Sequence, residues 1–327
     1  ILLFERTASD IWLTSIALLF ATSSFFERIK EISANMWVRA MLVFLLWCFL
    51  ASALSEIWHF SLLETLAWLR FPLFAVAIAF WVCRSERLVT SFLSVGYIAI
   101  TAHFFILAAE IHLIGFTAYG RLTWPFGDEM PGSYLAKIGL PLALYSIATL
   151  SAGSLKKSWA HALFISLLVT FAALTGERIN LLLVVCPVFL SLALLLIAAD
   201  ENWLFGLTLT SALFFGLLAL FWFFYPQKFY LLTVDFWQRI PVINQSDYNN
   251  LFIGGLNAWK TSPITGVGTA AFSELCEVNS WMPDGNRCQN HPHNFYVQLL
   301  AETGVVGLFL GSWALASIVV ATVVTTS

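Results

Sequence analysis

The chain has 327 residues, of which 60% are hydrophobic, 16% aromatic and only 11% charged, and its 16 Lys+Arg against 19 Asp+Glu leave a formal charge of −3. Average soluble domains carry about 25% charged residues, so a water-soluble globule is excluded. No net positive field is present to recruit nucleic acid, and five cysteines in a chain of this length do not make a disulfide scaffold.

The apolar residues fall in blocks close to the ~20 residues that cross a bilayer as a helix. In chain order the blocks predict helices over residues 11–26, 36–54, 66–83, 88–109, 134–150, 159–174, 179–198, 203–224 and 294–320. Lipid offers the backbone no hydrogen bonds, and the runs lack the two-residue alternation of a barrel strand, so helices are required. The fold class is all-α: a polytopic transmembrane bundle of about nine spans, with the first eight in 1–224, a large loop in 225–293 and the ninth in 294–327. The chain begins at Ile1 without a Met and stops at Ser327 after an apolar run with no basic anchor following it, which reads as a fragment of a longer protein, and no cleavable signal peptide is visible.

Alternate short connections carry Arg28 and Lys30, Arg84 and Arg87, and Lys156 and Lys157, whereas the intervening ones carry only Arg121 and Arg178. By the positive-inside rule the first set faces the cytoplasm. Residues 225–293, the one long hydrophilic stretch, then fall outside it between the eighth and ninth helices.

Several basic residues break that trend. In chain order, Arg70 lies near the outer end of the third block, Lys137 near that of the fifth, Arg178 at the start of the seventh, and Arg239 between Trp237 and Pro241 in the loop. Ionisable groups at membrane depth are costly and are read first as functional. Guanidinium groups gathered at one face suit a diphosphate, because each offers a planar fork of donors to phosphate oxygens. Snorkelling of Arg70 and Lys137 to the headgroups is the plain alternative.

Within the loop, residues 229–240 and 248–260 mix aromatic and aliphatic anchors with isolated polar residues, as short interfacial helices do. Pro263, Gly266 and Gly268 then mark an irregular turn. Cys276 and Cys288 are the loop's two cysteines, and an oxidising exterior favours their pairing.

Pro292 disfavours helix just before the final block, so His293 or Asn294 is the natural start. Asn294, Gln298 and Glu302 recur every fourth residue as a polar stripe on an apolar helix, which belongs toward the protein interior. Gly304 and Gly307 permit a kink or a close helix contact. The arrangement puts an imidazole, His293, where it can serve as a general base. His291 with His293 could be mistaken for a zinc pair, but neither loop cysteine stays free if the two pair with each other, and no metal is expected.

These segments carry a resemblance. His293-Asn294, followed by Glu302-x-Gly304-x-x-Gly307, resembles the signature of the O-antigen ligase and O-antigen polymerase superfamily, in which it follows a large periplasmic loop. Thr175-Gly176-Glu177-Arg178 is similar to the family's TG-x-R opening of a transmembrane helix, and the run from Pro263 to Gly268 to its P-x-x-G-x-G turn. The family places an arginine shortly before the loop helix that leads to this turn; around Asp247-Tyr248-Asn249 none stands, and Arg239 is the nearest substitute.

The resemblance implies a metal-independent, inverting glycosyltransferase of the bacterial inner membrane with its site facing the periplasm. Its donor would be a glycan on undecaprenyl diphosphate, its acceptor a hydroxyl of lipid A core oligosaccharide or, in a polymerase, of a second carrier-linked glycan. His293 would take the acceptor proton, and Arg178, Arg239, Arg70 and Lys137 would hold the departing diphosphate. Besides these substrates only membrane lipids are expected as partners, with no cofactor. A polysaccharide or lipid flippase is the rival from another class, but it calls for ionisable groups near mid-membrane and two related halves.

Overall fold

The structure is a computed structural model and describes residues 6–117, 120–125, 127, 131–150, 155–198, 203–230, 247–283 and 286–326. Arg239 and most of the predicted loop helix 229–240 lie outside the described residues. Among the described residues the chain is helical, with no strand. In chain order the helices are α1 (Arg6–Phe20), α2 (Ile29–Ala34), α3 (Met36–Ala53), α4 (Trp58–Trp68), α5 (Arg70–Ala77), α6 (Glu86–Leu113), α7 (Pro131–Tyr134), α8 (Leu140–Leu150), α9 (Leu155–Leu174), α10 (Arg178–Ala198), α11 (Trp203–Phe224), α12 (Asp247–Thr261), α13 (Ala271–Leu275) and α14 (Phe295–Thr326).

Each predicted block coincides with an apolar helix. Among the described residues five are long and apolar enough to cross a membrane: Met36–Ala53, Trp58–Val82, Glu86–Leu113, Pro131–Leu150 and Phe295–Ala321. Shorter apolar helices at Asp10–Phe25, Ser158–Leu174, Ile179–Ala193 and Thr208–Phe224 fall on the remaining blocks. Phe105 at 72%, Phe223 at 73% and Phe309 at 71% exposure would be unfavourable against water and are at home against lipid. The chain is thus a multi-pass membrane protein.

Helix ends follow local chemistry. Ser85 accepts the Leu88 N–H at 3.4 Å and starts α6, and Asn294 accepts the N–H groups of Tyr296 at 3.0 Å and Val297 at 3.1 Å and starts α14. The third block differs from expectation. Helix begins at Trp58 rather than near residue 66, and Arg70 sits at the junction of α4 and α5, several turns in rather than near the end. The residues before 66 include Glu64 and His59, which hid a helix that two buried hydroxyls, Ser61 and Thr65, join to the rest of the fold.

The chain forms two compact units. The first comprises residues 1–9 and 84–238. Its core gathers Ile100, Phe104 and Leu107 of α6, Ala143 and Ile147 of α8, Ile165, Leu168 and Ala172 of α9, and Val184 and Val188 of α10. The second comprises residues 10–83 and 239–327. Here α14 packs along α3, with α12 against α14. A small core of Ala258, Val267, Phe272, Leu275, Trp281 and Ala301 ties the loop to the last helix.

Candidate functional site

In the second unit, two glycine motifs far apart in sequence form one joint. Gly304 interrupts α14 with φ 67° and ψ −173°, a conformation open essentially to glycine alone. A break of this kind strands backbone groups that a continuous helix would satisfy, and in a membrane protein such groups need partners. The turn after α12 supplies them. Val267 N–H donates to Ala301 O and Gly268 N–H to Glu302 O, both at 2.9 Å, while Val305 N–H donates to Pro263 O at 3.0 Å. The Trp47 indole of α3 donates to Thr303 O at 2.8 Å.

The approach is too close for any side chain. A Cβ on Gly304 would lie 2.0 Å from Ile264 O, and one on Gly266 would lie 2.3 Å from the Glu302 carbonyl carbon. Gly307 leaves room for the Thr303 hydroxyl. Gly268, at φ +108°, lies against Ser55 and Ser61.

Buried hydroxyls fasten the other side of the turn. Ser55 Oγ donates to Val267 O at 2.6 Å and Ser61 Oγ to Thr269 O at 2.8 Å. Ser52 pairs with Thr65 at 2.8 Å and donates to Thr269 Oγ1 at 3.1 Å. Composition shows these only as Ser and Thr in apolar helices, so reading the sequence missed them; their spacing on α3 and α4 was the available signal.

Of the predicted stripe, Gln298 Nε2 donates to Glu302 Oε1 at 3.3 Å, and Glu302 is 3% exposed. Both border a cavity of about 40 Å³ with Cys48, Thr65 and Thr269. Asn294 does not continue the stripe: its side chain is spent on capping α14.

His293 closes the loop immediately before this cap. It is exposed, adopts φ 54°, and its ring lies 4.3 Å from that of His291, centroid to centroid. Partial burial, and then the neighbouring His291, hold its pKa below the ordinary 6.5. The segment is pinned from below. Gly255 of α12 lets that helix approach Pro292 and Val297, and Pro292 is buried.

Cys276 and Cys288 are joined as a disulfide. Inside the closed loop Trp281 stacks on Phe272, with centroids 6.0 Å apart, and its carbonyl accepts Asn257 Nδ2 at 2.9 Å. Replacing Cys276 and Cys288 by Ser is expected to destabilise this subdomain by about 2–4 kcal/mol, read as earlier proteolytic nicking in residues 276–290 under conditions that leave the helices intact.

In the first unit, the Thr175-Gly176-Glu177-Arg178 turn joins α9 to α10. Gly176 takes φ +77° and lies against the Gly120 carbonyl. Leu122 N–H donates to Thr175 O at 3.3 Å. Glu177 accepts the Gly132 N–H at 2.7 Å and the Asn180 side-chain amide, which fixes the turn to the starts of α7 and α10. Arg178 is the first residue of α10; its side chain lies outside what is described. Lys137 is exposed within the π-helical stretch Leu135–Gly139. Arg70, in the second unit, pairs with Asp10 at 3.6 Å and stacks over Phe71 at 5.0 Å.

The two units therefore divide the predicted residues. His293, Gln298, Glu302, the glycine turn, the disulfide and Arg70 fall in one, and Arg178 and Lys137 in the other.

No curated protein and no solved structure matches the chain. A family model described as O-antigen ligase matches residues 162–311. That stretch holds the Thr175–Arg178 turn, the loop with its disulfide, His293 and the break at Gly304, and over it the chain is similar to the O-antigen ligase family.

Proposed function

We propose that the protein transfers a glycan from undecaprenyl diphosphate to an acceptor hydroxyl at the periplasmic face of the bacterial inner membrane, across a bundle of about nine spans. Lipid A core oligosaccharide is the preferred acceptor, and a second carrier-linked glycan is the alternative. The observation that carries the reading is an imidazole held in a glycine-like backbone conformation directly ahead of a capped, interrupted helix, in a chain whose residues 162–311 match the ligase family.

The chemistry follows from that residue. A sugar hydroxyl is a weak nucleophile, so its proton must pass to a base as the glycosidic bond forms. Neutral His293 accepts it; the hydroxyl oxygen attacks the anomeric carbon from the face opposite the diphosphate, and configuration inverts. The bond to the diphosphate breaks with its electron pair on the leaving oxygen. Arg178, with Arg239, Arg70 and Lys137 as further candidates, neutralises that charge, and donors fixed before the reaction stabilise it more in the transition state than in the ground state.

The depressed pKa of His293 sets the pH profile. A base works unprotonated, so transfer rises with pH through the His293 pKa and then levels. Because that pKa is lowered, the midpoint of the acid limb is expected below pH 6.5. His291→Ala removes part of the depression and is expected to move the midpoint up without abolishing activity.

The deciding experiment is transfer in vitro by the full-length protein, with carrier-linked oligosaccharide and defined acceptors. Arg178→Ala is expected to cost roughly 10²–10³-fold in kcat, the scale of losing one donor to a developing negative charge. Full activity in both Arg178→Ala and His293→Ala would overturn the mechanism.

A further inference from the structure

A cation outside the predicted set stands beside the Thr175–Arg178 turn. Residues 226–230 are helical and follow α11, and Lys228 there is half-buried. Its Nζ lies 4.8 Å from the centroid of the Phe116 ring. A Cβ on Gly120 would come within 2.7 Å of that nitrogen, so the ammonium group rests against the main chain of Gly120.

That main chain is well held. Gly120 N–H donates to Thr117 O at 2.8 Å, and Thr117 N–H to Arg121 O at 2.9 Å. Arg121 N–H donates to the Thr117 hydroxyl at 3.1 Å. The Gly120 carbonyl faces Gly176, two residues before Arg178. Lys228 and the turns bearing Arg121 and Arg178 thus meet around one glycine, although 121, 178 and 228 lie far apart in sequence.

Among the described residues no carboxylate lies within ion-pair distance of Lys228. Among the described residues, two acids at this end of the unit, Glu110 and Glu177, are engaged by backbone N–H groups. Glu110 accepts from Thr123 N at 2.7 Å and Trp124 N at 3.0 Å, and Glu177 accepts from Gly132 N.

We propose that Lys228 is a phosphate-binding residue whose ammonium group, set against Gly120 beside the Arg121 and Arg178 turns, takes a phosphoryl oxygen of a lipid-borne phosphate or diphosphate. The inference rests on the glycosyltransferase reading for the identity of the natural ligand, not for the site. An ammonium group partly stripped of water gains from an anion more than a solvated one does. Burial lowers the Lys228 pKa, as expected of a cation in that situation. Phe116 covers one side of it by a cation–π contact.

The test uses the full-length protein in nanodiscs and reads thermal stabilisation in two arms. One titrates geranylgeranyl diphosphate into phosphatidylcholine discs, and the other replaces phosphatidylcholine stepwise by phosphatidylglycerol. Lys228→Met is expected to raise the half-saturating concentration roughly tenfold, the scale of one lost charge-assisted hydrogen bond, and Lys228→Arg to retain most of the affinity. Lys228→Gln, which keeps a polar stem of similar length, serves as the second neutral variant should Lys228→Met fold poorly.

Lys228 dependence in the first arm identifies a diphosphate carrier as the source, and dependence in the second a bilayer phospholipid; either supports the site. Equal half-saturation for wild type and both neutral variants in both arms overturns it. Lys228-dependent diphosphate binding by a wild-type protein that transfers no glycan would remove the glycosyltransferase reading alone. Wild-type transfer with an unchanged donor KM and unchanged binding in Lys228→Met would remove this inference alone.

Discussion

Replacing His293 by alanine is expected to slow glycan transfer by roughly 10²–10⁴-fold, the range that general-base catalysis contributes, with the loss in kcat rather than in donor KM. The side chain is exposed and belongs to none of the buried clusters, so its removal leaves the core intact. The backbone needs more care, because position 293 holds φ 54° and alanine is less at ease there than histidine. Asparagine tolerates left-handed backbone better than most residues, which makes His293→Asn the cleaner variant: it keeps the loop shape and a hydrogen-bonding side chain but cannot take a proton near neutral pH. Single-turnover transfer, compared with donor binding in each variant, separates a missing base from a displaced loop. His293→Asn with wild-type kcat would show that the imidazole is not the base.

The largest structural effect is expected at position 304. A valine there would place Cβ about 2.0 Å from Ile264 O, within covalent overlap, on a backbone conformation that a β-branched residue does not adopt. Relief requires the turn at 263–268 to leave α14, which strands the carbonyls of Ala301 and Glu302 and the N–H of Val305. Each buried group left unpaired costs about 1–3 kcal/mol, so Gly304→Val is expected to destabilise the second unit by at least about 3 kcal/mol, more than most single substitutions. Gly266→Val attacks the same joint from the opposite partner. If the two damage one joint, the double variant loses clearly less stability than the sum of the singles. Strict additivity in thermal unfolding would mean that the glycines act separately.

Much of the helical order was legible from hydropathy, because a bilayer demands continuous apolar runs and these stand out in a chain 60% hydrophobic. The failures are local. The start of the third helix was hidden by Glu64 and by hydroxyls whose partners lie about two hundred residues away, as with Ser61 and Thr269. Pro263, Gly266 and Gly268 announced a turn, and Gly304 a kink, but nothing in either segment says that one docks on the other, since hydrogen bonds between distant backbones leave no mark on the side chains that make them. Asn294 reads equally well as a stripe residue or a cap, and only the position of the first helical N–H groups decides between them. Lys228 was passed over because Tyr225-Pro226-Gln227-Lys228 reads as the opening of a loop, whereas its surroundings are set by Phe116 and Gly120.

The joint at Gly304 also bears on how this fold could diversify. Since the turn at 263–268 completes the hydrogen bonding of the last helix, neither can be exchanged without the other. A chimera that imports residues 247–293 from a relative while retaining the native terminal helix would inherit mismatched halves of a single lock. Recombination within such proteins should therefore reject crossovers that fall between α12 and Gly307.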